Sequence, residues 1–130
     1  LYNHRKVIIE HSAVHHGSAD DGLNIKNANI LIKNNIFNAN FADQVDLDFC
    51  EGTVANNKFI SKEFRKQPAS VDLADDDNGD GLDFSGSHML VKNNIFEGFL
   101  DKGISVGENT KAFIGKNNFS NIMAGVEVTC

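Results

Sequence analysis

Apolar and polar residues alternate in short runs along this chain, as in Leu23/Ile25, Leu82/Phe84 and Ile104/Val106. A period of two marks a β-strand, and no segment keeps a helical period for three turns. The runs also recur. A phrase of the form Gly-apolar-polar-apolar, usually led by Asp, reads DGLNI at Asp21–Ile25 and DQVDL at Asp43–Leu47, with Gln where Gly is expected. It returns as DGLDF at Asp80–Phe84, KGISV at Lys102–Val106 and AGVEV at Ala124–Val128. Its first apolar residues are Leu23, Val45, Leu82, Ile104 and Val126, spaced 22, 37, 22 and 22 residues apart; the long interval is 22 plus an insertion of 15.

Other columns keep step. Ile9, Ile32, Val54, Val91 and Ile114 form one apolar row, and Val14, Phe37, Phe59, Phe96 and Phe119 a bulkier one. Two residues before the second row stand Ser12, Asn35, Asn57, Asn94 and Asn117. The pentapeptide KNNIF therefore occurs twice, at Lys33–Phe37 and Lys92–Phe96. Coils of 22 residues are too short for ankyrin or tetratricopeptide repeats, and the LxxLxL signature of leucine-rich repeats is absent. The spacing predicts an all-β chain: a right-handed parallel β-helix, a solenoid of about five 22-residue coils with one 15-residue loop insertion. Coils stacked at roughly 4.8 Å would align the apolar columns into one core. Asn35, Asn57, Asn94 and Asn117 would form a structural ladder of side-chain amides at a turn.

This frame spans residues 1–130 as a single domain, with the insertion at about 60–74. The sequence opens inside a coil and shows no polar caps, which solenoids need. It reads as a piece of a longer solenoid whose coil ends are covered by missing sequence or by self-association. Cys50 and Cys130 fall three coils apart, on the order of 14 Å from the strand spacing. A disulfide needs Cα atoms within about 7 Å, so two free thiols are expected.

Composition narrows the function classes. The net charge is −6 and the pI about 5.2, which argues against a nucleic-acid binder. No apolar run is long enough for a membrane-spanning helix. Acids crowd the middle of the chain: 11 of the 18 lie between Asp43 and Asp83. Beside the DGLNI-type strands one column reads Asp21, Asp43, Asp80, Lys102; another reads Asn24, Asp46, Asp83, Ser105, Glu127; a third reads Lys26, Asp48, Ser85. Stacked carboxylates repel unless a cation or proton intervenes, and hard oxygen ligands suit Ca²⁺. The plain alternative is a solvated acidic face.

The repeated phrases and the Asn column resemble those of the pectate-lyase-like superfamily of right-handed β-helices, including its alginate-epimerase-like repeats. The DKGISVGE stretch, Asp101–Glu108, also resembles β-helical regions of large bacterial surface proteins. The resemblance implies an extracellular, periplasmic or cell-surface setting and polysaccharide as a possible partner. In such enzymes, acids on this sheet hold Ca²⁺ against an acidic sugar while an Arg or Lys takes the α-proton. By that resemblance Asp43, Asp46, Asp80 and Asp83 are metal-ligand candidates, and Arg65 or Lys66 of the insertion are candidates for the catalytic base.

Several motifs stop short. ADDDNGDG at Ala74–Gly81 looks like a calcium loop but has Ser87 where an EF-hand has its twelfth-position Glu. His15-His16 beside Asp20-Asp21 could be an acid–base pair, a transition-metal site or a surface turn. The Asp-Pro-His motif of the alginate epimerases is absent. Two functions result: a noncatalytic extracellular β-helix scaffold or glycan-binding module of a larger protein, or part of a Ca²⁺-dependent polysaccharide lyase or epimerase acting on acidic glycans.

Overall fold

The computed structural model describes residues 1–3, 5–18, 20–61 and 79–129. The described residues contain strands and turns and no helix. The strands stack into three parallel sheets of five, each coil contributing one strand to each sheet. Sheet I holds β1 (Lys6–Glu10), β4 (Asn29–Lys33), β7 (Glu51–Ala55), β10 (His88–Lys92) and β13 (Lys111–Gly115). Sheet II holds β2 (Ala13–His15), β5 (Ile36–Asn38), β8 (Lys58–Ile60), β11 (Ile95–Glu97) and β14 (Asn118–Ser120). Sheet III holds β3 (Leu23–Lys26), β6 (Val45–Asp48), β9 (Leu82–Ser85), β12 (Lys102–Val106) and β15 (Ala124–Val128). The register matches the sequence columns. Leu23 pairs with Val45, Val45 with Leu82, Leu82 with Ile104 and Ile104 with Val126.

The core is the set of inward columns. Phe37, Phe59 and Phe96 are fully buried, and their rings stack face to face at 5.2 and 4.6 Å, with Phe119 following at 5.1 Å. Ile32, Val54 and Val91 face them from sheet I, and Leu47, Leu82, Phe84 and Ile104 from sheet III. Gly52 sits in an inward column of sheet I between Ile30 and Met89. Its φ is 149°, and a Cβ there would collide with the Ile30 carbonyl oxygen, so only glycine fits.

The corners are built from left-handed residues. Between sheets I and II the column His11, Asn34, Asn56, Asn93, Lys116 has φ between 50 and 60°. Asn tolerates this conformation because its short polar side chain satisfies itself locally. The next residue of each doublet does a different job. The Asn35 backbone N–H and Nδ2 both donate to Asn57 Oδ1, at 2.9 and 3.1 Å. Asn57 donates in the same way to Asn94, and Asn94 to Asn117. Each side-chain amide also caps a carbonyl of the coil before it, as Asn57 Nδ2 does with Ile32 O at 3.0 Å. These bonds satisfy the buried amides at the turn with partners from the neighbouring coils.

Two further corner networks occur. Gln44 occupies the column of Gly22 and Gly81, is buried, and its Oε1 accepts from the Asn40 backbone N–H and Nδ2 at 3.1 and 2.9 Å. Cys50 is a buried free thiol. It stands in a hydroxyl column, where its backbone N–H donates to Ser87 Oγ at 3.0 Å. Cys130, the insertion around 60–74 beyond Ser61, and Asp75, Asp76, Asp77 and Asn78 lie outside the described residues.

Candidate functional site: the acidic face of sheet III

Sheet III presents its outward side chains in columns because strand neighbours pair without stagger. Asn24, Asp46, Asp83 and Ser105 are successive register partners, and Lys26, Asp48 and Ser85 form the adjacent column. The Asp46 and Asp83 carboxylates are thus one coil apart and half-buried. Lys26 Nζ lies 3.1 Å from Asp48 Oδ2 at the edge of this surface. Asn24 Nδ2 bridges Asp46 Oδ2 at 2.6 Å and Asp21 Oδ2 at 3.2 Å, tying two acidic columns together.

The column at the strand entry behaves differently from what its polarity suggests. Asp21 Oδ1 accepts the Asp43 backbone N–H at 3.2 Å. Asp43 Oδ1 accepts the Asp80 backbone N–H at 2.7 Å, and Asp80 Oδ1 accepts that of Lys102 at 3.2 Å. These aspartates form a second ladder. It runs opposite to the asparagine ladder: here a backbone donates to the side chain of the preceding coil, there to that of the following coil. Lys102 ends it, with Nζ 3.7 Å from Asp80 Oδ1 and 2.7 Å from Asp101 Oδ2.

Burial dominates the protonation of this face. Asp43 is pushed up to about 8, by burial first and then by the Asp80 and Asp83 charges, against the lowering pull of the Asp80 N–H. Asp46 is pushed up to about 7 by burial and by Asp48 and Asp21. Asp80 also reaches about 7 through burial, although the Lys102 ammonium opposes the rise. Burial raises Asp83, against a hydrogen bond from Ser105. Near neutral pH this surface therefore shares protons among its carboxylates.

The structure brings Asp43, Asp46, Asp80 and Asp83 onto one face across two neighbouring coils. It divides them into two roles: Asp46 and Asp83 stand on the strand, while Asp43 and Asp80 each have an oxygen bound to a backbone amide. Among the described residues no three His, Cys, Asp or Glu side chains are arranged to hold a metal ion. Arg65 and Lys66 lie outside the described residues. His15 and His16 are exposed at a corner, with ring nitrogens 3.0 Å apart.

One surface feature carried no sequence motif. Phe49 stands at the corner between sheets III and I with φ 54° and is 62% exposed. Its ring lies over Gly86 of the next coil, beside Arg5, Asn27 and His88. A bulky side chain at positive φ is uncommon. Its register neighbours Asn27 and Gly86 are ordinary left-handed residues, which is the only signal that marks it.

Three parallel sheets, an inward aromatic stack and amide-bonded corners define a parallel β-solenoid. The family model described as a right handed beta helix region matches residues 1–130, and the chain belongs to that family. Membership is consistent with the pectate-lyase-like superfamily. No curated protein and no solved structure matches the chain. No helix among the described residues is long and apolar enough to cross a membrane.

Proposed function

We propose that the chain is a noncatalytic β-helical scaffold module of a larger extracellular, periplasmic or cell-surface protein, with polysaccharide as the partner of its outer faces. One observation carries this reading. Asp43 and Asp80, which a lyase of this kind would turn toward Ca²⁺, each commit an oxygen to the backbone of the next coil. A carboxylate bound in this way supports the stack and has fewer lone pairs left for a cation. The setting and the glycan partner follow from the resemblance to surface and polysaccharide-active β-helices.

The second reading is part of a Ca²⁺-dependent lyase or epimerase. It is favoured by Asp46 and Asp83, which face outward on adjacent strands beside Asp48. Its base would be Arg65 or Lys66, since Lys102 is engaged with Asp80 and Asp101. The two readings part on one assay. The purified chain is incubated with polygalacturonate or alginate and Ca²⁺; ultraviolet absorbance follows the unsaturated sugar that β-elimination leaves, and proton NMR of the alginate follows the inverted C5 that epimerisation leaves. The scaffold reading expects no product, together with retarded migration of the chain in gels cast with the same polysaccharides. Product that disappears on Asp46→Asn and Asp83→Asn would establish the enzyme instead.

A further inference from the structure

The outward side of sheet I differs from the other two. Its middle column is apolar but for Thr53 at the centre: Ile8, Leu31, Thr53, Leu90 and Phe113 are register partners. Ile8, Leu90 and Phe113 are 52%, 38% and 79% exposed. The core is already filled by the inward residues on either side of each, such as Met89 and Val91 around Leu90. Nothing within the coil requires an apolar residue facing out. A largely apolar stripe on an exposed surface marks an interface.

Charge flanks the stripe on both sides. Lys6, Glu51 and Lys111 stand in the column before it, and Glu10, Lys33 and Lys92 in the column after it. Among the described residues none of these six makes an ion pair within the chain.

We propose that sheet I pairs two copies of this chain face to face, with parallel solenoids related by a two-fold axis along their length. That symmetry sets each stripe residue against its own counterpart and the first strand position against the fifth. Lys6 then meets Glu10 of the second copy, and Glu10 meets its Lys6. Glu51 meets Ala55 of the second copy and lies between its Lys33 and Lys92, one coil away on either side; like charges meet only on such diagonals, Lys6 with Lys33 and Lys111 with Lys92, and never directly opposite. A two-fold axis along the strands would instead oppose Lys6 to Lys111, Lys33 to Lys92 and Glu51 to itself, so charge selects the parallel pair. Sheet III of a second copy is a poorer cover. Its central column carries Asp46 and Asp83, and burying carboxylates under Leu and Phe is unfavourable.

The size of the face sets the strength. Five strands at about 4.8 Å, each of five residues at about 3.3 Å, give roughly 400 Å² per copy. Stable interfaces use about 800 Å² per partner. The pairing is therefore weak for free chains and grows where copies are held side by side.

Sedimentation equilibrium over a series reaching about 1 mM is expected to show a monomer passing to a dimer. Phe113→Asp and Leu90→Asp should abolish the dimer without changing the far-ultraviolet circular dichroism, because both side chains face outward. Lys6→Glu should weaken it, and the double variant Lys6→Glu/Glu10→Lys should restore it. In a Cys50→Ser/Cys130→Ser background, a short bismaleimide should join Thr53→Cys to its counterpart across sheets about 10 Å apart. The same reagent should not join copies through Asp46→Cys on sheet III. A chain monomeric throughout, a dimer indifferent to Phe113→Asp, or linkage through Asp46→Cys alone would overturn the proposal.

Discussion

Asp43 Oδ1 accepts the backbone N–H of Asp80 at 2.7 Å across 37 residues of chain. The bond joins the coil before the long interval to the coil after it. It is the point at which the register resumes, since Val45 and Leu82 pair two residues further on. The bond needs an acceptor oxygen at this position and does not need a charge. Asp43→Asn should therefore leave the fold intact and stabilise it increasingly as pH rises from about 4 to about 8, the window in which the unfolded Asp43 ionises while the folded one holds its proton. Asp43→Ala should destabilise it by about 1–3 kcal/mol, the cost of a buried amide left without an acceptor. Urea unfolding of the two variants at pH 8 separates them.

The raised aspartates fix the sign of the pH dependence. Asp43 moves from 3.8 to about 8, and Asp46 and Asp80 from 3.8 to about 7. The folded state holds these protons more tightly than the unfolded chain. Their contribution is thus complete below the unfolded value and is lost as pH rises through the folded one. The thermal midpoint should fall between about pH 4 and pH 8 and level off above that window. Circular dichroism melts across the range test this, and a midpoint rising from pH 5 to 8 would contradict the assignment. Asp43→Asn should flatten the curve.

The asparagine ladder is predicted to be most sensitive in its middle. Asn57 Oδ1 receives two donors from Asn35, and its Nδ2 serves Ile32 O and Asn94 Oδ1. Asn57→Ala strands the Asn35 N–H and the Ile32 carbonyl inside the coil. A loss of about 3 kcal/mol is expected, from two buried groups without partners. Asn117→Ala, in the part-exposed last coil, should cost less. Denaturant midpoints at constant m-value provide the comparison.

Phe59 is fully buried and stacked on both faces. Phe59→Ala opens a cavity in the middle of the aromatic column and should cost about 3–5 kcal/mol. Phe119→Ala, at the exposed end of the same column, should cost clearly less. Equal losses at the two sites would mean that the stack is not the continuous core described here.

The columns were legible in the sequence because stacking turns chain periodicity directly into spatial alignment. Val14 through Phe119, Ile9 through Ile114 and Leu23 through Val126 needed only the 22-residue frame. The doubled asparagines were half legible. The second of each pair, as at Asn35 and Asn94, follows from its column. The first, as at Asn34 and Asn93, acts through a left-handed backbone that no hydrophobic pattern encodes. The entry aspartates were read as outward ligands because they are polar and next to a strand. A period of two cannot tell whether a residue at a corner points out or along the stack, and Asp21, Asp43 and Asp80 point along it. The apolar stripe was visible in KVIIE, NILIK and HMLVK, where a third apolar residue breaks the alternation.

The two opposed ladders have a consequence for how such a chain can change length. A coil bearing both an entry aspartate and a turn asparagine reaches backward through one and forward through the other. A tandem duplication of one 22-residue coil would insert a unit that already carries the complementary half of each junction. Register then survives gain or loss of whole coils, whereas a shift by a single residue breaks both ladders and turns the phenylalanine column out of the core. Lengthening by copying is thus built into the hydrogen bonding, and smaller changes are confined to the corners.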